Sequence, residues 1–252
     1  TSDDGYLLNM ARVSDHAGYM ANYFRWFGVP EAPFGWYYDV LAAFAKISTA
    51  SPWMRLPALL AGIVCWLIIS REVLPRLGNL VRRNTLALWT AGLVFLAFWL
   101  PYNNGLRPEP IIAFGALLTW CCVERAIATR RLLPYAVAVV TAAFTLALAP
   151  GGLMAVAALL AGIRPIVKTL VSRRSRDGLL PMLAPILAAG TAVLFQIFAD
   201  QPLATVLEMR SAHEVGGPNS AWFDEYLRYQ WLLQSGPDGS LARRFAVLGM
   251  IV

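Results

Sequence analysis

Charge is what this chain has least of. Of its 252 residues only 14% are Asp, Glu, Lys or Arg, against 58% hydrophobic, where a soluble globular domain carries roughly 25% charged residues. That shortage excludes an ordinary soluble domain. Histidine is nearly absent too: His16 and His213 are isolated in sequence, and neither suggests a metal site by itself, although His16 follows the acidic pair Asp3-Asp4 closely enough to be one alternative for its polar neighbour. The three cysteines, Cys65, Cys121 and Cys122, fall inside apolar runs without metal-ligand spacing and read as small buried hydrophobes. No glycine-rich phosphate loop, HExxH or GxSxG pattern occurs, and no repeat of fixed period.

What is present is a series of apolar runs near the roughly 20 residues that cross a hydrocarbon core. They predict six spans, at about 53–70, 86–101, 111–128, 133–149, 152–171 and 179–198, with a further run opening at Phe245. The expected class is an all-α polytopic membrane protein. Since the chain starts just ahead of an acidic pair and stops within an apolar run, it is expected to be a fragment of a longer protein. Its expected organisation is an extracytoplasmic first loop with interfacial helices over 1–52, a six-span domain over 53–198, an extracytoplasmic loop over 199–244, and the start of another span over 245–252.

Orientation follows from the breaks after 70, 128 and 171. With their flanks they hold Arg71, Arg76, Arg82, Arg83, Arg125, Arg130, Arg131, Arg164, Lys168, Arg173, Arg174 and Arg176 against Glu72, Glu124 and Asp177. Lys and Arg concentrate in cytoplasmic loops, so the opposite side, with Asp3, Asp4, Glu31, Glu109 and Asp224, is predicted to be extracytoplasmic. The net charge of +6 is thus a topology signal, and no nucleic-acid partner is expected. For Asp3 to lie outside and the span from Trp53 to start outside, the segment 33–48 cannot cross. Its Phe34, Trp36, Tyr37, Tyr38 and Phe44, with Asp39 and Lys46, predict a helix lying along the outer leaflet.

The polar residues left over gather on that outer side: Asp3, Asp4, Tyr6, Asn9, Arg12, Asp15 and His16, then Asn22, Arg25 and Glu31, then the connection Tyr102-Asn103-Asn104-Gly105-Leu106-Arg107-Pro108-Glu109. Non-helical backbone at membrane depth requires a cavity or packed protein around it. Each residue also has an unremarkable reading. Arg12 can pair with Asp4 or Asp15, Arg107 can pair with Glu109, and Ser2 or Asp3 can cap a helix starting near Gly5.

The stretches TSDDGYLLNMARVSDHAGYMANYFRWFGVPEAPFGWYYD, SPWMRLPALLAGIVCWLIISREVLPRLG, NNGLRPE and FADQPLATVLE together resemble the mycobacterial Emb arabinosyltransferases, the ethambutol targets. The resemblance runs through nearly the whole chain, is strongest in the first 110 residues, and is closest to the C member, with the A and B paralogues sharing most of it. It implies a GT-C glycosyltransferase-type transmembrane helical domain in the plasma membrane, multi-pass, with an extracytoplasmic active site. The implied reaction moves arabinofuranose from decaprenyl-phosphoryl-arabinose to a growing arabinan, of lipoarabinomannan or arabinogalactan. Asp3 corresponds to the family's catalytic base and Glu31 to a carboxylate lining the same site. Tyr6 and Met10, with Asp3 and Glu31, correspond to ethambutol contacts. The implied partners are the polyprenyl-phosphate donor, the arabinan acceptor, membrane lipid, and a second copy or a paralogue in a dimer.

The residues suit such chemistry. In an inverting transfer the acceptor hydroxyl loses a proton as it attacks the anomeric carbon, and a carboxylate within hydrogen-bond reach is a suitable base. Asp3 is the candidate. The departing lipid phosphate is stabilised by cations and donors, for which Arg12, Arg25, Arg107, Asn103 and Asn104 are available, with Asp4, Tyr6 and Glu31 as further substrate-binding candidates. No cofactor is expected. No metal is demanded either, because the leaving charge is smaller than that of a nucleoside diphosphate. Met10 and Met20 are candidate apolar walls for the prenyl tail, or plain packing residues. Two other classes compete: a lipid or sugar transporter or flippase, to which the break at Pro150-Gly151-Gly152 points, and a non-catalytic scaffold subunit of the arabinan machinery.

Overall fold

In the computed structural model of this chain the described residues are 4–18, 20, 35–78, 81, 84–103, 105–178, 180–197 and a few helical positions between 203 and 211. Packing divides the chain into units 1–211 and 212–252, and all described residues lie in the first. They are helical, with no strand among them. In order the helices are α1 (Asp4–Ala17), α2 (Trp36–Ile47), the single turn α3 (Ser51–Met54), α4 (Leu56–Ile68), α5 (Thr85–Asn103), α6 (Glu109–Thr129), α7 (Leu133–Leu146), α8 (Leu153–Ala161), α9 (Ile163–Asp177) and α10 (Leu180–Ile197). The expected loop 199–244 and the run from Phe245 lie almost wholly outside the described residues.

The helix boundaries depart from the apolar boundaries where a specific contact intervenes. Trp53 Nε1 donates to the Phe44 carbonyl at 2.9 Å, and its ring lies 5.2 Å from Phe44. This ties α3 back onto α2, so the first long helix starts at Leu56, not at 53. Nor does it stop at 70. A π turn over Ile69–Val73 and a 3-10 turn over Leu74–Leu77 carry it on to Gly78, where φ is +120°. Arg76 pairs with Glu72 one turn earlier at 2.9 Å and lies 5.6 Å over the Trp120 ring of α6, so polar residues prolong the helix after the apolar run has ended. At the start of α5, Asn84 Oδ1 accepts the Leu86 N–H at 2.9 Å, a side-chain cap for an otherwise unpaired donor.

Two helical stretches, Leu56–Leu77 and Glu109–Thr129, are long and apolar enough to cross a membrane, and α8 with α9 makes a third if that pair, bent by 46°, is one span. The stretches Thr85–Leu100, Leu133–Leu146 and Leu180–Ala192 are apolar but shorter. Rising 1.5 Å per residue, α7 covers about 21 Å and ends because Pro150 and two glycines follow. The expected span 152–171 is broken at Gly162, where an added Cβ would collide with Val123 of α6.

The centre of the bundle is α6, packed most extensively on α7, with α4 and α8 beside it and α10 on the far side of α7. A close approach makes the α6–α7 seam. A Cβ on Gly115 would overlap the Thr145 side chain, so no larger residue fits there. Along the same seam Thr119 is fully buried, donates to the Gly115 carbonyl at 2.8 Å and shares a hydrogen bond of 2.9 Å with Thr141. Such interhelical hydrogen bonds in membranes average only about 0.6 kcal/mol. Close packing past small residues therefore holds this seam more strongly than the threonine contacts do.

Candidate functional site

Helix α1 buries Leu7, Met10 and Ala11, a spacing of three and four that lines one helical face. That face docks on Tyr37, Leu41 and Ala42 of α2, and Met20, Met54, Leu106, Ile112 and Leu148 complete the cluster. The first two helices are therefore mounted on one end of the α6–α7 pair. Their anchors are specific: Trp36 Nε1 donates to the Phe144 carbonyl at 2.9 Å, and the Gly35 N–H to the Ala147 carbonyl at 3.2 Å. The aromatics of the segment 33–48 were expected to lie along a membrane surface. Tyr37, only 3% exposed, and Trp36 instead pack inward, because the end of α7 offers carbonyls and the Phe144 ring.

Asp4 stands one turn before Leu7, on the edge of the docking face, and its carboxylate meets the connection between α5 and α6. The Leu106 N–H donates to Asp4 Oδ1 at 3.0 Å. Leu106 itself is buried, as are Gly105 and Pro108, so the non-helical backbone of 105–108 is tolerated because protein surrounds it. Immediately beyond, Arg107 and Glu109 form an ion pair, with Nε 3.1 Å from Oε1. Glu109 opens α6, where the helix dipole favours a negative charge, and its Oε2 is buried with no hydrogen-bond partner among the described residues. Burial, and secondarily the charge of Glu109, pushes the Tyr37 phenol well above its ordinary range. Tyr37 is thus neutral wherever the protein works.

Of the residues singled out from sequence, Asp4, Tyr6, Met10 and Arg107 come together around this end of the bundle. Tyr6 is half-buried against the cluster and Met10 is wholly enclosed in it. Met10 and Met20 are packing residues here, and a ligand reaching Met10 has to displace a neighbour first. Arg12 is exposed, about 200° round α1 from Met10, and belongs to the opposite face. His16 is in the last turn of α1 and Asp4 in the first. Twelve residues of helix separate them by about 18 Å, so His16 is not a neighbour of Asp4. Asp15 pairs with Lys46 at 2.8 Å, rather than with Arg12, while Arg107 and Glu109 do pair. Asp3, Arg25, Glu31 and Asn104, and the side chain of Asn103, lie outside the described residues. No cluster of three metal-ligating side chains occurs among the described residues.

Removing the Asp4 carboxylate leaves the Leu106 N–H without that acceptor in a buried loop. Such an unsatisfied donor costs about 1–3 kcal/mol. Asp4→Ala is therefore expected to lower the thermal stability of the full-length protein in detergent. Asp4→Asn, which retains a carbonyl acceptor, is expected to recover most of the loss.

Comparison with known proteins accords with this geometry. The family model described as mycobacterial cell wall arabinan synthesis protein matches residues 1–252. Probable arabinosyltransferase C of Mycolicibacterium smegmatis is 60% identical over 252 residues, all of this chain and 24% of the relative. The protein of that name from Mycobacterium tuberculosis H37Rv is 58% identical over 253 residues, again all of this chain and 23% of the relative. Probable arabinosyltransferase B of Mycobacterium avium is 59% identical over 248 residues, 98% of this chain and 23% of the relative. The chain thus spans about a quarter of the length of these relatives, and both types match it almost equally. The cryo-EM structure of arabinosyltransferase EmbB from Mycobacterium smegmatis superposes with a TM-score of 0.83 at 51% identity, over 99% of this chain and 25% of that one. At that identity the fold is shared, and it is the all-α, GT-C-type membrane fold expected from the sequence. The chain belongs to the family of mycobacterial cell wall arabinan synthesis proteins.

Proposed function

We propose that this chain is the catalytic membrane segment of an inverting arabinofuranosyltransferase. The full-length protein takes arabinose from decaprenyl-phosphoryl-arabinose and adds it to a cell-wall arabinan, on the extracytoplasmic side of a multi-pass domain. Asp3 accepts the proton of the acceptor hydroxyl while that oxygen forms its bond to the anomeric carbon. The bond from that carbon to the lipid phosphate breaks, and the phosphate leaves with the electron pair. Arg107 meets the phosphate, and Glu31 holds the sugar beside Asp3. Residues 1–52 form the outer part of the site and residues 199–244 a second outer loop.

The observation that carries this reading is the hydrogen bond from the Leu106 N–H to Asp4. It ties the residue next to Asp3 to the segment bearing Arg107, so a base and a cation are available at one end of the bundle. Neither needs a cofactor. The test is transfer by the purified full-length protein, given the lipid donor and an arabinan acceptor. The expected product has the anomeric configuration opposite to that of the donor. Retention of configuration, or release of arabinose without transfer, contradicts the reading.

A further inference from the structure

Glu109 belongs to no motif in the sequence, yet several features converge on it. It is ion-paired with Arg107, Oε1 lying 3.1 Å from Nε, and its other oxygen is buried with no hydrogen-bond partner among the described residues. Its backbone belongs to the first turn of α6, with Pro108 before it and Pro110 after it. Proline fixes φ, and α6 is packed against α7, α8 and α4. Glu109 is therefore mounted on a well-packed helix next to the site. Arg107 by contrast sits in the irregular connection, with its side chain 43% exposed. A flexible arginine loses rotamer entropy worth up to about 2 kcal/mol on being ordered.

We infer that Glu109 is a positioning residue, which orients the Arg107 guanidinium from the start of α6 so that Arg107 meets the donor phosphate already aimed. The ion pair holds Nε, the nitrogen nearest the backbone, beside the start of α6. The partial positive charge at the helix N-terminus favours a carboxylate at this position, beside the arginine. Glu109 itself touches no reacting atom. This inference rests on the assignment of Arg107 to the donor phosphate, and the experiment separates the two.

The experiment is a double-mutant cycle in the full-length protein, reading KM for the lipid donor, which does not depend on how much protein folds. Arg107→Ala is expected to raise donor KM by at least about tenfold, the loss of a charge-assisted contact. Glu109→Ala is expected to raise it about five- to tenfold with kcat changed less than about twofold. Because Glu109 acts through Arg107, the double variant stays within about twofold of Arg107→Ala. Glu109→Gln keeps an acceptor for Nε and stays within about threefold of the parent. If Arg107→Ala leaves donor KM unchanged, the phosphate assignment fails and the inference with it. If Arg107→Ala acts as expected but Glu109→Ala does nothing, or the two effects multiply, the positioning role alone is overturned.

Discussion

Asp3→Asn is expected to lower kcat for arabinose transfer by about 10²–10⁴-fold, the usual contribution of a positioned general base, with donor KM moving less than about threefold. Asn has nearly the shape and hydrogen-bonding reach of Asp but cannot take up the acceptor proton. A change confined to kcat therefore isolates proton transfer from binding. Asp4→Asn is the informative neighbour. Its carbonyl still accepts from the Leu106 N–H, so kcat is expected to fall far less. The check is steady-state kinetics of the full-length protein against lipid-donor concentration. If Asp3→Asn raises KM and spares kcat, Asp3 binds substrate rather than activating it.

Gly115→Leu is expected to have the largest effect on stability. The Cβ of any side chain at 115 meets the Thr145 side chain, which is 3% exposed and donates to the Thr141 carbonyl at 2.5 Å. Thr145 cannot swing aside without breaking that bond or crossing into α6. Overpacking of this kind costs about 1–3 kcal/mol, which is already a large share of the roughly 5–15 kcal/mol that holds a domain folded. Gly115→Ala falls within that range and Gly115→Leu beyond it. Thermal unfolding in detergent reads both. Because the clash is with one side chain, Thr145→Ala in the Gly115→Ala background is expected to restore most of the loss, a non-additive result characteristic of residues in contact. Simple addition of the two losses would mean that the seam is not set by this pair. The seam also bears on function, since α6 carries Glu109 at its first turn.

The membrane class was legible from the sequence because burial in lipid needs composition alone, with apolar runs between charged breaks. Span ends were less so. Hydropathy marks where apolar residues stop, but Arg76 and Glu72 continue a helix by pairing with each other and with Trp120. Hydropathy also misses the bend at Gly162, where a run read as one span is two helices at 46°. For the site, Asp4, Tyr6, Met10 and Arg107 stood out as polar or motif residues and do converge. What no local pattern encodes is the bond between Asp4 and the Leu106 N–H, whose partners are 102 residues apart. In the sequence Glu109 reads only as a loop partner of Arg107, which it is. Its buried second oxygen and its place on the packed α6 are visible only in the folded bundle. His16 failed for a simpler reason: nearness in sequence is not nearness along a helix.

The most direct measurement is a structure of the full-length protein with the lipid donor or a non-transferable analogue bound. The predicted result has the arabinose between Asp3 and Glu31, its anomeric carbon facing the carboxylate of Asp3 across room for one hydroxyl, and the phosphate against Arg107. A donor seated elsewhere, with Asp3 turned from every cavity or lying on the cytoplasmic side, would contradict the assignment of Asp3 as the base.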